Sequence, residues 1–188
     1  QIQGDQYAAL YSEILTVELE NDFLPFLYPN QYVNFSPDSE ASKLALSMVS
    51  EDTTDVDALK QIYNYVVNNL TYAYDKAETV ETGYLPDVDE TLSTKTGICF
   101  DYAALTTAML RSCDIPCKLQ IGYTGDIKHA WIDVYIRSKG WVTGAVSFNG
   151  DSWSLMDPTF DSSADSDDTE AIQDYIGNAD NYTVQFTR

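Results

Sequence analysis

Strict two-residue alternation marks one segment above all others. In HAWIDVYI, residues 129–136, Ala130, Ile132, Val134 and Ile136 fall on one side. His129, Trp131, Asp133 and Tyr135 fall on the other, the pattern of a strand with one face against a core. CKLQIGYTG, just before it, alternates through Leu119, Ile121 and Tyr123. SKG and Asn149-Gly150 are hairpin signals on either side of WVTGAVSF, and SWSLMD reads as a last strand stopped by Pro158.

Upstream the period is helical. TTDVDALKQIYNYVVNNLTY carries an apolar stripe of Leu59, Ile62, Tyr63, Val66, Val67 and Leu70, with Asp55 as the expected N-cap. SPDSEASKLALSMVSE predicts a shorter helix through Leu44, Leu46 and Val49. A third helix is expected over Cys99–Ser112 with Leu105, Ala108, Met109 and Leu110 inward, ended by Pro116, which disfavours helix at the residue before it. Residues 73–97 read as one long, polar, acidic loop, and long loops in compact domains often carry function. YAALYSEILTVELEND has rough helical spacing through Leu10, Ile14, Leu15 and Leu19, broken by Pro25 and Pro29. Helices followed by an antiparallel meander predict an α+β fold. Residues 1–35 are expected to pack on the core as an extension, 36–162 to form the core, and 163–188 to supply an acidic loop and a C-terminal strand or tail.

Composition narrows the function classes. Thirty carboxylates against ten Lys and Arg give a formal net charge of −20 in 188 residues. Such a surface repels phosphate backbones and excludes nucleic acid as a partner; it favours basic or neutral substrates, or serves solubility alone. No run approaches the ~20 apolar residues of a membrane-spanning helix. The chain begins at Gln1 rather than Met, which suggests a removed signal and an extracellular or cell-surface location, with the cytoplasm as the alternative. Three Asn-x-Ser/Thr sequons, at Asn34, Asn69 and Asn181, matter only in a eukaryotic secretory pathway. One histidine and three dispersed cysteines do not make a zinc site, and DSSADSDD lacks the spaced Asp-x-Asp-x-Asp-Gly of a calcium loop. No metal and no cofactor are expected.

The chemistry centres on Cys99, placed after Thr96-Gly97 at a helix start. There the macrodipole and unsatisfied N–H groups favour thiolate, and the same N–H groups can hold an oxyanion. Gly97 would leave room for substrate to approach the backbone. The alternative is a small buried thiol. His129 begins a strand on the face opposite the core and could serve a cysteine nucleophile as base. Asp157 closes a strand and could accept from the other ring nitrogen, although any one of thirty carboxylates is a weak signal.

In order along the chain, TGICFDYAALTTAMLRSCDIPCKLQIGY, HAWIDVYI and WSLMDPTF resemble the transglutaminase-like core, and IYNYVVNNLTYAYD resembles the segment preceding it. The likeness covers residues 40–162. It implies a papain-like fold whose catalytic cysteine opens a helix packed on an antiparallel sheet. Cys99 would be the nucleophile, His129 the base and then the acid, and Asp157 the orienter. Two departures stand out. Asp114 replaces the Gly that often precedes Ile-Pro, and Cys113 and Cys117 flank that turn, either as small buried residues or as a local disulfide. No Gln lies in the residues just before Cys99 to donate to an oxyanion, so Tyr72 and Tyr84 are the candidates. Trp131 and Trp153 are candidates for the substrate groove.

The expected activity is thiol-dependent acyl transfer on amides of peptides or proteins, basic ones among them. Hydrolysis is favoured over protein-glutamine transamidation. A binding or scaffold module that keeps the triad is the rival from another class.

Overall fold

The structure is a computed structural model that describes residues 11–16, 18–142, 146–148, 153–155 and 182–188. A 3-10 turn, Leu24–Phe26, is followed by α1 (Glu40–Met48), α2 (Asp55–Asn69), β1 (Thr71–Tyr72), α3 (Tyr74–Thr79), α4 (Val88–Thr94) and β2 (Thr96–Gly97). Then come α5 (Cys99–Ser112), β3 (Cys117–Thr124), β4 (Ile127–Ile136), β5 (Gly140–Val142), β6 (Val146–Phe148), β7 (Trp153–Leu155) and β8 (Tyr182–Thr187). The fold is α+β, with an antiparallel sheet in the order β5-β4-β3-β8.

The central element is α5. Every residue from Asp101 to Arg111 is buried, because α1, α2 and α4 flank the helix on the sides that β3 and β4 leave open. Ala103, Ala104 and Ala108 let these neighbours approach closely, so α5 has no exposed face between Asp101 and Arg111. It ends in a left-handed residue, Asp114 at φ 59°, with the Ile115 N–H on the Leu110 carbonyl at 3.1 Å. That backbone explains why glycine suits the position and why the short polar Asp is tolerated there.

On the sheet, Cys117, Leu119, Ala130, Ile132, Val134 and Ile136 face the helices and join the core. The opposite face is also covered. Phe23 and Phe26 of the N-terminal segment pack on Tyr135 and Trp141, at centroid distances of 4.4 and 5.3 Å, and Lys118 Nζ lies 3.8 Å over the Trp141 ring. Arg111 joins three segments. It donates from Nε and Nη2 to the Cys117 carbonyl, from Nη1 to Tyr28 and from Nη2 to Arg188, and burial lowers its pKa.

Several expectations need correction. The spacing around Ile14 gives no helix in the described residues: Tyr11–Thr16 is irregular, and Ile14 and Leu15 are exposed, with no facing surface to bury them. In α1 the buried positions are Ala41, Ser42 and Ala45 rather than Leu46, because this helix sits close against α5 and small residues form the seam. The N-cap of α2 is Thr54, whose Oγ1 accepts from the Asp57 N–H. Residues 73–97 are not one loop. They contain α3, α4 and β2, and Asp87 Oδ1 caps α4 by accepting from the N–H groups of Asp89 and Glu90.

Candidate active site

Local sequence sets the start of α5. Ile98, extended at φ −96° and ψ 175°, is the N-cap, and Cys99 is the first helical residue. Isoleucine has no acceptor atom, so this N-cap cannot occupy the first-turn N–H groups as Ser or Asp would. Such a cap is a stability cost of about 1 kcal/mol relative to a capping Ser or Asp. Cys99 is half-buried against the core.

Asp101, wholly buried, supports this helix start from below. Its carboxylate accepts from the Ile98 N–H at 2.8 Å, from Lys76 Nζ at 2.7 Å and from the Tyr84 hydroxyl at 2.5 Å. Lys76 also donates to the Tyr84 oxygen at 2.7 Å. Burial works against the Lys76 charge, but the bonds to Asp101 and Tyr84 outweigh it and raise its pKa; burial, then the bond to Asp101, raises that of Tyr84. Gly97 is explained here. A Cβ at this position would lie 2.6 Å from Asp101 Cβ, so the space expected for substrate is filled by the aspartate.

A parallel pair, β1 with β2, places Tyr72 opposite Gly97, and the Ala73 N–H donates to the Gly97 carbonyl at 2.9 Å. Tyr72 is therefore fixed two residues from Cys99 in register, its ring 4.9 Å from that of Tyr74. Tyr84 is corrected as an oxyanion donor: its one hydroxyl proton is engaged by Asp101.

His129 is the third residue of β4 and only 6% exposed. Its ring stacks on Trp131 at 17° and 6.3 Å, and its cross-strand neighbour is Gly122. A Cβ on Gly122 would meet the Thr183 carbonyl at 1.9 Å and the Trp131 ring at 2.9 Å. Trp131, 2% exposed, is thus a wall behind His129 rather than the groove surface expected of it. Further along the same face, Gln120 Nε2 donates to Asp133 Oδ2 at 2.5 Å, and Thr187 Oγ1 donates to Gln120 Oε1 at 2.7 Å. Asp157 and the Trp153 side chain lie outside the described residues.

The other two cysteines are a built-in contrast. Both are free thiols. Burial raises Cys113 to about 11 and Cys117 to about 12, and Cys117 Sγ points at Thr107 Oγ1, 3.5 Å away. Among the described residues no cluster of His, Cys, Asp and Glu could hold a metal, and no helix is long and apolar enough to cross a membrane.

A family model described as the transglutaminase-like superfamily matches residues 42–144, more than half of the chain, which therefore belongs to that superfamily. The uncharacterized protein YebA of Bacillus subtilis is 26% identical over 154 residues, 70% of this chain and 21% of that protein. Two solved structures share the fold. One, described as a "putative cysteine protease", is from Cytophaga hutchinsonii: TM-score 0.58, 20% identity, 91% of this chain and 48% of that one. The other is the periplasmic domain of TgpA from Pseudomonas aeruginosa bound to ethylmercury: TM-score 0.52, 18% identity, 76% of this chain and 50% of that one. The chain thus spans about a fifth of that curated relative and half of each structure.

Proposed function

We propose that this member of a family of thiol-dependent enzymes transfers acyl groups from amide bonds of peptides or proteins, with Cys99 as nucleophile. The observation that carries the reading is Cys99 as the first residue of a buried, 14-residue helix behind an N-cap that has no acceptor. The sulfur attacks the amide carbon, and the new oxyanion takes the Cys99 N–H and, as second donor, Tyr72. His129 accepts the thiol proton and returns it to the leaving amine. Asp157 fixes the ring from its other nitrogen. Water, or a primary amine, then resolves the thioester and releases Cys99.

Water is the preferred acceptor. A transamidase has to shelter its thioester, whereas the segment tied to the Cys99 helix through Lys76 and Tyr84 carries exposed Asp75, Glu78, Glu81 and Asp87. The same carboxylates favour basic substrates. The neighbouring TgpA domain is periplasmic by name, which supports an exported location for this chain.

The experiment supplies a glutamine-donor peptide and a panel of ordinary peptides, with and without a labelled primary amine. Peptide cleavage or ammonia release that outruns amine incorporation is expected. The reverse would make the protein a transamidase, and neither product together with a slow Cys99 thiol would leave the non-catalytic binding module.

A further inference from the structure

Asp101 is a buried carboxylate that the proposed reaction does not use, and it sits one helical step beyond Phe100 in the turn that Cys99 opens. In a helix, residues two apart have Cα atoms ~5.5 Å from each other. Their side chains leave the helix on different faces, but a bare carboxylate in the same first turn would still oppose ionisation of the Cys99 thiol, against the work of the helix end. The groups that face Asp101 are the Lys76 ammonium from α3, the Tyr84 hydroxyl from the segment before α4, and the Ile98 N–H of its own helix start. Among the described residues bonded to Asp101, only Lys76 brings an opposite charge.

We infer that Asp101, Lys76 and Tyr84 are positioning residues for Cys99: Asp101 fixes the Ile98 peptide and so the direction in which the nucleophile leaves the backbone, and Lys76 cancels its charge so that this anchor does not suppress the thiolate. The geometry supports both halves. Oδ2 takes the Ile98 N–H and Lys76 together, Oδ1 takes Tyr84, and Gly97 is left without room for a side chain by the same carboxylate. A helix cap alone would need one acceptor for one N–H. Here a cation and a phenol from two other segments converge on that acceptor. The inference rests on Cys99 being the nucleophile.

The test measures the rate of Cys99 alkylation by iodoacetamide against pH, read by peptide mass spectrometry, in the wild-type chain and in Lys76→Met, Lys76→Arg, Asp101→Asn and the double variant Lys76→Met/Asp101→Asn. Lys76→Met leaves the carboxylate uncompensated and moves the midpoint up; Asp101→Asn leaves the ammonium uncompensated and moves it down. Each displacement should be about one pH unit, which after the offsetting change in thiolate nucleophilicity is about a 3-fold change in rate well below the midpoint. Lys76→Arg and the double variant return close to wild type. Opposite signs from the two single variants distinguish charge compensation from loosening of the helix, which would move both the same way. Midpoints that stay put, or move together, overturn the inference. If Lys76→Met does not fold, Asp101→Asn decides alone: a lowered midpoint supports the inference, and an unmoved or raised one overturns it. A wild-type chain in which Cys99 is not the fast thiol would sink the enzyme reading and this inference with it; a fast Cys99 with unmoved midpoints sinks only the inference.

Discussion

Brief treatment with iodoacetamide at pH 7 should modify Cys99 and leave Cys113 and Cys117 almost untouched. The magnitude can be worked from the two buried thiols, raised from 9.0 to about 11 and about 12. Against a thiol of ordinary acidity, their thiolate fractions at neutral pH are lower by about 100-fold and about 1,000-fold. A thiolate of higher pKa is intrinsically more nucleophilic, with a Brønsted slope of about 0.45, and this returns roughly 8-fold and 20-fold. The net handicaps are therefore about 12-fold for Cys113 and about 50-fold for Cys117, before steric exclusion is counted. Activation by the helix end widens both gaps, because a nucleophile one unit more acidic gains about 3-fold in rate while ambient pH stays below its pKa. The assay is peptide mapping after exposures of seconds to minutes, with the label at each cysteine fitted to a separate rate. Cys113 labelled within a few-fold of Cys99 would refute the reasoning, and so would selective protection of Cys99.

Other consequences are independent of that experiment. His129→Ala should reduce turnover by at least about a thousandfold with unchanged melting, and Asp157→Asn by less; wild-type activity in either folded variant contradicts the assigned roles. Cys117 has a folded-state pKa above its unfolded value, so its contribution to stability is complete below pH 9 and is lost as pH rises towards 12. Urea titrations at pH 8 and pH 11 should show on the order of 2–3 kcal/mol less loss in Cys117→Ala than in wild type, and equal losses would show that the thiol is not excluded from water. Asp114→Gly should stabilise the chain by about 0.5–1 kcal/mol, because φ 59° strains any residue with a Cβ; an unchanged or lowered denaturation midpoint would mean that Asp114 gains a compensating contact. Matched basic and acidic peptides should differ most at low salt, because surface attraction is screened over about 8 Å at physiological ionic strength, and a preference that ignores salt would move the exposed carboxylates of 75–87 away from the groove.

The parts of the fold that could be read directly are those in which burial has a period. The alternation in β4 assigned both its faces, and the stripe in α2 located its core residues, because a residue's side of an element follows from spacing alone. The elements that escaped are short or closely packed. α3 and α4 have six and seven residues, too few for a stripe, and what marks α4 is the capping at Asp87. In α1, small residues at the seam put Ala45 inside and Leu46 outside, which reverses the usual ranking of size and burial. α5 is enclosed on all sides, so no arc of it could be singled out as its inward face.

The helix position of Cys99 was legible for a related reason: a turn, a thiol and an unbroken helical run are adjacent in sequence. The support beneath it was not. Asp101 is one of thirty carboxylates, and Lys76 and Tyr84 lie in a segment whose composition reads as solvated loop. A usable signal was nevertheless present. An acidic residue at the third helical position behind an apolar N-cap has only one backbone N–H to take, yet two acceptor oxygens to satisfy once buried. Such a residue requires further donors from elsewhere in the chain, and the ten Lys and Arg leave few sources of one with a positive charge. Gly97 adds the second half of the signal. A glycine with no left-handed backbone to justify it points to a side chain pressed against its Cα, and here that side chain is the aspartate itself. The same logic applies to Gly122, whose missing Cβ leaves space for the Trp131 ring and for close approach of β8. In both places, two residues before Cys99 and across the strand pair from His129, a glycine marks close packing, and the room it leaves is already taken by the protein.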